Sequence, residues 1–254
     1  MYNNIFDTHS HYDDGQFDGD RAGLIASLPG KGVDKIVSCG CDIPSTTANK
    51  VLAERYDFLY FAAGFQPENL EDVGIDQLQL IRQFAKHEKC VAIGEIGLDY
   101  YWMASDKEKQ KQFFVEQIKL AKDMDMPVIV HDRDAHGDTL EILKEYQPKG
   151  VLHCFSGSKE MAREIIKIGM YIGLNGVVTF KNARKSLEVV QDIPLDRLVL
   201  ETDCPYLAPE PHRGKRNDSS YIPYIAERIG DAVGKSAQEI LDITNANAKR
   251  LYNL

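Results

Sequence analysis

The sequence predicts an α/β protein built as a (β/α)8, or TIM, barrel, with a single domain spanning residues 1–254. Short apolar, β-rich segments alternate along the chain with amphipathic helical segments, a pattern typical of parallel βα units. Polar residues directly follow several of the apolar segments, as functional residues do at the carboxyl ends of barrel strands. No internal repeat or low-complexity linker indicates a domain boundary, and single barrels of this length are common.

Eight segments have the composition of buried strands. They lie near residues 5–7, 35–38, 59–63, 91–95, 128–131, 150–153, 171–173 and 198–201. Helical patterns occupy residues 20–28, 45–56, 75–87, 106–124, 138–146, 158–168 and 183–190, and two more helices are expected in the segments IPYIAERIG and SAQEILDITNANAKRLYNL. This alternation favours the closed barrel. An open doubly wound sheet is the alternative, because strand order cannot be read from sequence.

The helix predicted near residues 106–124 has the clearest boundaries. Ser105 is expected to cap its amino end, with Glu108 three residues later in the capping-box position. Pro127 follows the carboxyl end, where proline often stands after a helix. Phe114 and Ile118 fall on the apolar face expected of a helix packed on a barrel.

Charge and composition restrict the functional classes. The formal net charge of −9 argues against broad electrostatic attraction to nucleic acid or anionic membranes. The net charge does not exclude a small site that acts on a phosphate substrate, because bound metal ions would dominate the local charge there. Apolar runs are too short for a transmembrane helix, and no secretory signal is recognisable, so we expect a cytoplasmic protein. No segment indicates an obligate protein partner.

The cysteine pattern predicts reduced thiols. The five cysteines lie in or beside apolar segments, at positions 39, 41, 90, 154 and 204. No second pair stands at zinc-ribbon distance from Cys39 and Cys41, so a structural zinc site is not expected. Cys154 and Cys204 directly follow His153 and Asp203. Strand alternation therefore predicts that both thiols point toward the helix layer.

Six ionisable residues stand at the predicted carboxyl ends of strands, and these ends converge on one face of a barrel. His9 and His11 are two apart and would share one side of a strand. The full set is His9, His11, Glu95, His131, His153 and Asp203.

Each of these residues also has an ordinary structural interpretation. His131 alone could be a hydrogen-bonded core histidine, Glu95 a salt-bridge partner, and Asp203 the cap of a turn. Together, however, buried imidazoles and carboxylates without partners are costly, and divalent cations remove that cost. The joint pattern therefore predicts a metal site with catalytic function.

Five motifs carry a resemblance to a known family. The chain resembles the TatD family of metal-dependent deoxyribonucleases, within the amidohydrolase-like barrels. The motifs span nearly the whole chain in the family's order: DTHSH (7–11), GEIGLDYYW (94–102), PVIVHDRDA (127–135), HCFSG (153–157) and ETDCPYLAPEPHRGKRN (201–217).

The resemblance implies two divalent metal ions and a DNA substrate, single-stranded or cleaved at an end. The first metal would be held by His9, His11, Glu95 and Asp203, and the second by Glu95, His131 and His153. Glu95 would bridge the two ions, and Asp203 would accept the proton of the attacking water. The imidazole ligands favour Zn, Mn, Co or Ni, whereas the family is described as magnesium-activated. The identity of the metal therefore stays open.

Two other functions are considered. A similar metal pair could activate water against carbon, which makes an amidohydrolase or lactonase acting on a small carbonyl compound the main alternative. A metal-binding protein without turnover is disfavoured, because Asp203 and open loops provide for a reactive water. The net charge of −9 and one departure from the family keep the carbonyl alternative open. Many members have a G-x-H-P motif, whereas this chain has GFQP, and Gln66 cannot act as a base.

Substrate contacts are less determined by sequence. Arg213, in a basic loop shortly after Asp203, is assigned to a substrate phosphate, and a solvated surface loop is the alternative. Tyr100, Tyr101 and Trp102 could stack on bases, although loop packing is the favoured interpretation for this YYW segment. Arg133 would share the side of His131 if the strand continued, but the strand is expected to end first.

Overall fold

The computed structural model describes residues 2–254 as an eight-stranded parallel barrel surrounded by helices. The strands pair in the order β1 to β8, so consecutive strands are neighbours throughout. Their bounds are β1 Ile5–Ser10, β2 Val33–Cys39, β3 Leu59–Ala63, β4 Cys90–Asp99, β5 Val128–Arg133, β6 Gly150–Leu152, β7 Tyr171–Leu174 and β8 Leu198–Leu200. The barrel prediction is confirmed, and the open doubly wound sheet is wrong because strand order never reverses.

The barrel closes between β1 and the segment that follows β8. The backbone N–H of Asp203 donates to the carbonyl of His9 at 3.0 Å, and the N–H of His11 donates to the carbonyl of Cys204 at 2.8 Å. The Thr8 hydroxyl adds a bond to the Leu200 carbonyl at 3.0 Å. The first and last parts of the predicted site are therefore held together by main-chain bonds.

Nine α-helices of the described residues connect or follow the strands. They are α1 Arg21–Ser27, α2 Ile43–Arg55, α3 Leu78–Phe84, α4 Lys107–Asp123, α5 His136–Tyr146, α6 Lys159–Lys167, α7 Arg184–Asp192, α8 Ile222–Val233 and α9 Ala237–Tyr252. Within residues 2–254, none of the helices combines the length and apolar character needed to cross a bilayer.

The cap predicted for α4 is wrong by one residue. Asp106, not Ser105, is the N-cap, and its carboxylate accepts the backbone N–H of Lys109 at 3.0 Å. The Ser105 hydroxyl instead donates to the carbonyl of Pro67. Aspartate is a strong N-cap because its charge also opposes the positive end of the helix dipole, so the helix starts one residue later than predicted.

Two apolar layers determine which end of the barrel is free for function. The larger layer packs the outward faces of the strands against the helices. The smaller layer takes residues from all eight strands, such as Phe6 and Ile129, and is joined by Leu251 and Tyr252 of α9. Asn245 and Asn247 of α9 donate to the Asp34 carboxylate and the Leu198 carbonyl, at the amino ends of β2 and β8, so α9 covers that end of the barrel. The polar residues at the carboxyl ends face the opposite opening.

Candidate metal centre

The carboxyl ends of the strands surround a cavity of about 760 Å³. Five of the six predicted metal ligands line this cavity: His11, Glu95, His131, His153 and Asp203. The sixth, His9, is fully buried directly against them. Six residues from positions 9 to 203 of the chain thus meet at one site, as predicted from the ends of the strands.

Four ligand atoms form the first candidate metal position. The Nε2 atoms of His9 and His11 lie 3.0 Å apart. The Oδ1 atom of Asp203 lies 3.5 Å from the first of these nitrogens and 3.3 Å from the second. The Oε2 atom of Glu95 lies 3.4 and 3.7 Å from the same two nitrogens. Tetrahedral ligands about 2.1 Å from a zinc ion stand about 3.4 Å apart, so this set could hold one cation.

Three ligand atoms form the second candidate position. The Oε1 atom of Glu95 lies 2.9 Å from Nδ1 of His131 and 3.1 Å from Nε2 of His153. The two nitrogens are 3.4 Å apart. Three protein ligands beside an open cavity are typical of a catalytic metal position, because the remaining coordination is left to water or substrate.

Glu95 connects the two positions. Its carboxylate is 2% exposed, and each of its oxygens faces a different set of nitrogens. Burial alone would raise the pKa of Glu95, but His153, His131 and His9 favour the ionised form and hold the pKa well below its usual range. Gln66 contributes a weak bond to Oε1 at 3.4 Å. Gln66 therefore reaches the centre even though it cannot carry charge.

The second pair of histidines is also strongly influenced by carboxylates. Burial alone would lower the pKa of His131, but Asp99 and Glu95 raise it to about 9. Burial likewise opposes the charge on His153, whose pKa Glu95 and Glu201 raise to about 10. A cation and a proton compete for the same nitrogens, so metal binding at this position must release protons.

A polar group faces the outer nitrogen of each imidazole, on the side away from the centre. Asp99 Oδ2 lies 3.0 Å from His131 Nε2. Glu201 Oε1 lies 3.7 Å from His153 Nδ1. The remaining two histidines both face Cys39. Its carbonyl is 3.2 Å from His11 Nδ1, and its sulfur is 3.4 Å from His9 Nδ1. The carboxylate at His131 and the carbonyl at His11 are within hydrogen-bond distance, and partners of this kind fix the tautomer and rotation of metal-binding histidines.

Asp99 and Glu201 are functional candidates that sequence reasoning missed. Glu201 is fully buried, and its Oε1 accepts the backbone N–H of Cys154 at 2.6 Å. Its Oε2 and Nδ1 of His153 have no hydrogen-bond partner among the described residues. The sequence did offer one indication of their role, because both acids lie within the family motifs GEIGLDYYW and ETDCPYLAPEPHRGKRN. Their partners lie on other strands, however, and sequence spacing does not reveal them.

Asp7 is a further buried carboxylate, and it lies beside the first candidate metal position. It accepts the backbone N–H of Thr202 at 2.9 Å and the hydroxyls of Thr202 and Ser219, both at 2.6 Å. Burial raises the pKa of Asp7 to about 7, although these hydrogen bonds oppose the rise. The network ties β1 to the segment after β8 and so fixes His9 relative to Asp203.

The prediction for Cys154 is wrong, whereas Cys204 is buried as expected. Cys154 lines the cavity instead of facing the helix layer. Strand β6 ends at Leu152, and the Cys154 backbone lies in the left-handed region at φ +46°, so strand alternation no longer applies there. Cys41 also lines the cavity, with its sulfur 3.8 Å from His11 Nδ1.

Arg213 does not join the metal centre. It is exposed and is not among the residues that line the cavity, and its guanidinium lies 4.3 Å from the centroid of the Phe180 ring. Arg133 does line the cavity, because β5 continues through it instead of ending earlier as expected. The packing interpretation of the YYW segment is correct for Tyr100, whose hydroxyl donates to Asp138. It is wrong for Trp102, which is exposed at the mouth.

Known proteins resemble this chain over its whole length. The family described as TatD related DNase matches residues 6–253. YabD of Bacillus subtilis, named an uncharacterised metal-dependent hydrolase, is 46% identical over 253 residues, which cover 98% of this chain and 99% of that protein. TatD of Cronobacter sakazakii, named a 3'-5' ssDNA/RNA exonuclease, is 34% identical over 98% of this chain and 97% of its own length.

A solved structure agrees with these relatives. YJJV, a TatD homologue from Escherichia coli K12, has a TM-score of 0.91 and 32% sequence identity, and the match covers 100% of both chains. Since the family match extends over nearly every residue, this protein belongs to the TatD-related DNase family and is a metal-dependent hydrolase.

Proposed function

We propose that this enzyme hydrolyses phosphodiester bonds at the ends of unpaired DNA strands, using two divalent cations. The observation that carries the proposal is that the two oxygens of Glu95 face two separate sets of ligand atoms. A relative that is 34% identical is named a single-stranded DNA and RNA exonuclease, which supports this choice of substrate. The cavity of about 760 Å³ is within the range of about 300–1,000 Å³ usual for small-molecule sites.

The proposed ligands follow the two sets. His9, His11, Glu95 and Asp203 hold one cation. The second is held by Glu95, His131 and His153. Paired cations lower the pKa of a bound water and neutralise charge on the attacked phosphate. Four imidazoles and two carboxylates suit Zn, Mn, Co or Ni better than Mg, which prefers oxygen ligands.

Asp203 is proposed as the general base. Its side chain lines the cavity and is 18% exposed, so a substrate water can reach it, whereas Glu95 is only 2% exposed. Burial would raise the pKa of Asp203, but His11 and His9 lower it and keep the carboxylate able to accept a proton. Glu95 thus positions both cations, and Asp203 combines the roles of ligand and proton acceptor.

Arg213 is proposed to bind a phosphate farther along the strand. Its place on an exposed loop, outside the cavity lining, excludes direct contact with groups deep in the cavity. A guanidinium can nevertheless hold a backbone phosphate through two parallel hydrogen bonds. The cytoplasmic location stays a prediction.

The test uses protein reconstituted separately with each candidate metal. It is incubated with an end-labelled single-stranded oligonucleotide and, in parallel, with panels of amides and lactones. We expect oligonucleotide cleavage that is lost in Asp203→Asn and retained in Asp196→Asn, which changes an exposed aspartate outside the cavity. Turnover of an amide or lactone with no cleavage of any oligonucleotide would overturn the proposal. Metal content, measured by mass spectrometry, and anomalous scattering identify the ions and their number.

A further inference from the structure

The mouth of the cavity carries a concentration of exposed aromatic and apolar side chains. Within residues 2–254, eight large apolar or aromatic side chains are exposed. Four of them lie on the loops that follow β4 and β8: Tyr101, Trp102, Met103 and Tyr206. Single exposed apolar side chains are ordinary, but a cluster at the rim of a functional cavity indicates a binding surface.

Two of these rings approach the cavity from opposite sides. Trp102 follows β4 and Tyr206 follows β8, and these strands are four positions apart in an eight-stranded barrel. Both side chains line the cavity, although Trp102 is 58% exposed and Tyr206 is 50% exposed. The hydroxyl of Tyr206 donates to Asp14 at 2.7 Å, which holds this ring at the rim.

The loop that carries Trp102 is held by Asp99, the buried carboxylate that also faces His131. Oδ1 of Asp99 accepts the backbone N–H of Tyr101 at 2.9 Å and that of Trp102 at 2.8 Å. The other oxygen of the same carboxylate faces His131 at 3.0 Å. One buried side chain therefore orients both a candidate metal ligand and the exposed aromatic loop.

Arg133 adds positive charge beside these rings. Its guanidinium lies 4.1 Å from the centroid of Tyr101 and 5.5 Å from that of Trp102. Among the described residues that line the cavity, it is the one lysine or arginine. No carboxylate of residues 2–254 forms an ion pair with it. Stacking on the two rings holds the guanidinium in place, and its charge is available to an anionic ligand.

We infer that Trp102 and Tyr206 stack on the nucleobase of the terminal nucleotide of an unpaired strand, and that Arg133 binds a phosphate of the same strand. The inference rests on the proposed nuclease function and specifies how its substrate is bound. Stacking needs a base that is free of its complement, so the site selects single-stranded ends and tolerates different bases. Aromatic rings with one adjacent cation suit a nucleotide, which is both planar and anionic.

The first test uses intrinsic fluorescence, because Trp102 is the one tryptophan of the chain. The holoenzyme is titrated with an oligothymidylate of about ten nucleotides, within the site sizes usual for single-strand binding. Phosphorothioate linkages at both ends slow hydrolysis. We expect saturable quenching with this probe, and unchanged fluorescence with a matched probe whose two terminal residues are abasic. Equal quenching by both probes would overturn the inference.

The second test is kinetic and separates this inference from the proposed function. Trp102→Ala should raise KM for single-stranded oligonucleotides about tenfold, while Trp102→Phe stays close to the wild type. With abasic ends, Trp102→Ala and the wild type should have the same KM. The matched control is Leu80→Ala, which removes an exposed apolar side chain of α3 away from the cavity.

The outcomes are distinct. Cleavage by the wild type with an unchanged KM in Trp102→Ala would refute the stacking site and leave the nuclease proposal standing. Absence of oligonucleotide cleavage by every protein would refute the nuclease proposal itself. If Trp102→Ala instead dissociates a dimer in sedimentation experiments and leaves KM unchanged, the rim is an interface between copies and the inference is wrong.

Discussion

Asp99 offers the sharpest test of how the metal centre is built. In Asp99→Asn, one oxygen can still accept the backbone N–H groups of Tyr101 and Trp102, so the loop after β4 should keep its conformation. The amide nitrogen then faces His131, where the wild type presents a carboxylate oxygen at 3.0 Å. A donor replaces an acceptor, and the negative charge behind the imidazole is lost.

The size of the effect follows from this geometry. The lost contact is a charge-assisted hydrogen bond of ordinary length at a side chain that is 1% exposed. Hydrogen bonds to charged groups contribute about 1.5–3 kcal/mol. Each 1.4 kcal/mol corresponds to about a tenfold change in affinity, so the cation held by Glu95, His131 and His153 should bind about 10–100-fold more weakly.

The assay is a competition titration of the purified protein against a chelator of known affinity, combined with metal analysis after dialysis. We expect one of the two binding steps to weaken by about 10–100-fold in Asp99→Asn, with the other step unchanged. Asp231→Asn, an exposed aspartate of α8, is the control. An affinity within about twofold of the wild type would refute the view that this carboxylate orients His131, since such partners normally matter more.

Three other predictions test different parts of the structure. Glu201→Gln should weaken the same metal-binding step by about tenfold, the low end of the usual range, because Glu201 Oε1 lies 3.7 Å from His153 Nδ1. An affinity in the chelator titration equal to that of the wild type would contradict this prediction. Arg213→Ala should raise KM for long oligonucleotides and make KM less dependent on salt concentration, with unchanged metal content. The same dependence of KM on salt in the variant and the wild type would exclude a phosphate contact. Asp34→Asn should lower the free energy of unfolding at pH 7 by about 0.5 kcal/mol, measured by urea denaturation. Burial opposes ionisation of Asp34, but Asn245 and Lys249 lower the pKa of its carboxyl group in the folded state. The stabilisation is therefore present above the ordinary pKa of about 3.9 and disappears as pH falls through the lower folded value. A difference between variant and wild type that persists at pH 2 would refute the assignment.

The predicted strands agree best where apolar residues are continuous, and they differ from the structure in where each strand ends at the barrel mouth. Strand β3 has the predicted bounds, Leu59–Ala63. Strand β4 extends to Asp99 and β5 extends to Arg133, beyond the apolar residues that indicated them. Strands β6 and β8 instead end at Leu152 and Leu200, one residue before their predicted ends. Hydrophobic pattern alone therefore does not locate the strand ends, which is where the functional side chains lie.

Sequence by itself determined the barrel and the six ligand candidates. Alternating strand and helix segments leave few topologies, and residues at the carboxyl ends of parallel strands converge whatever their separation along the chain. His9 and Asp203 could therefore be assigned to one site although most of the chain separates them.

Tertiary structure alone decided which groups surround those candidate ligands. Asp99 faces an imidazole 32 residues away, and Glu201 accepts a backbone N–H 47 residues away. Such pairs depend on rotamers and on where each strand ends, which no local pattern encodes. The same holds for Arg133 and Trp102, whose exposure at the mouth follows from an extended β5 and a loop held by one buried carboxylate.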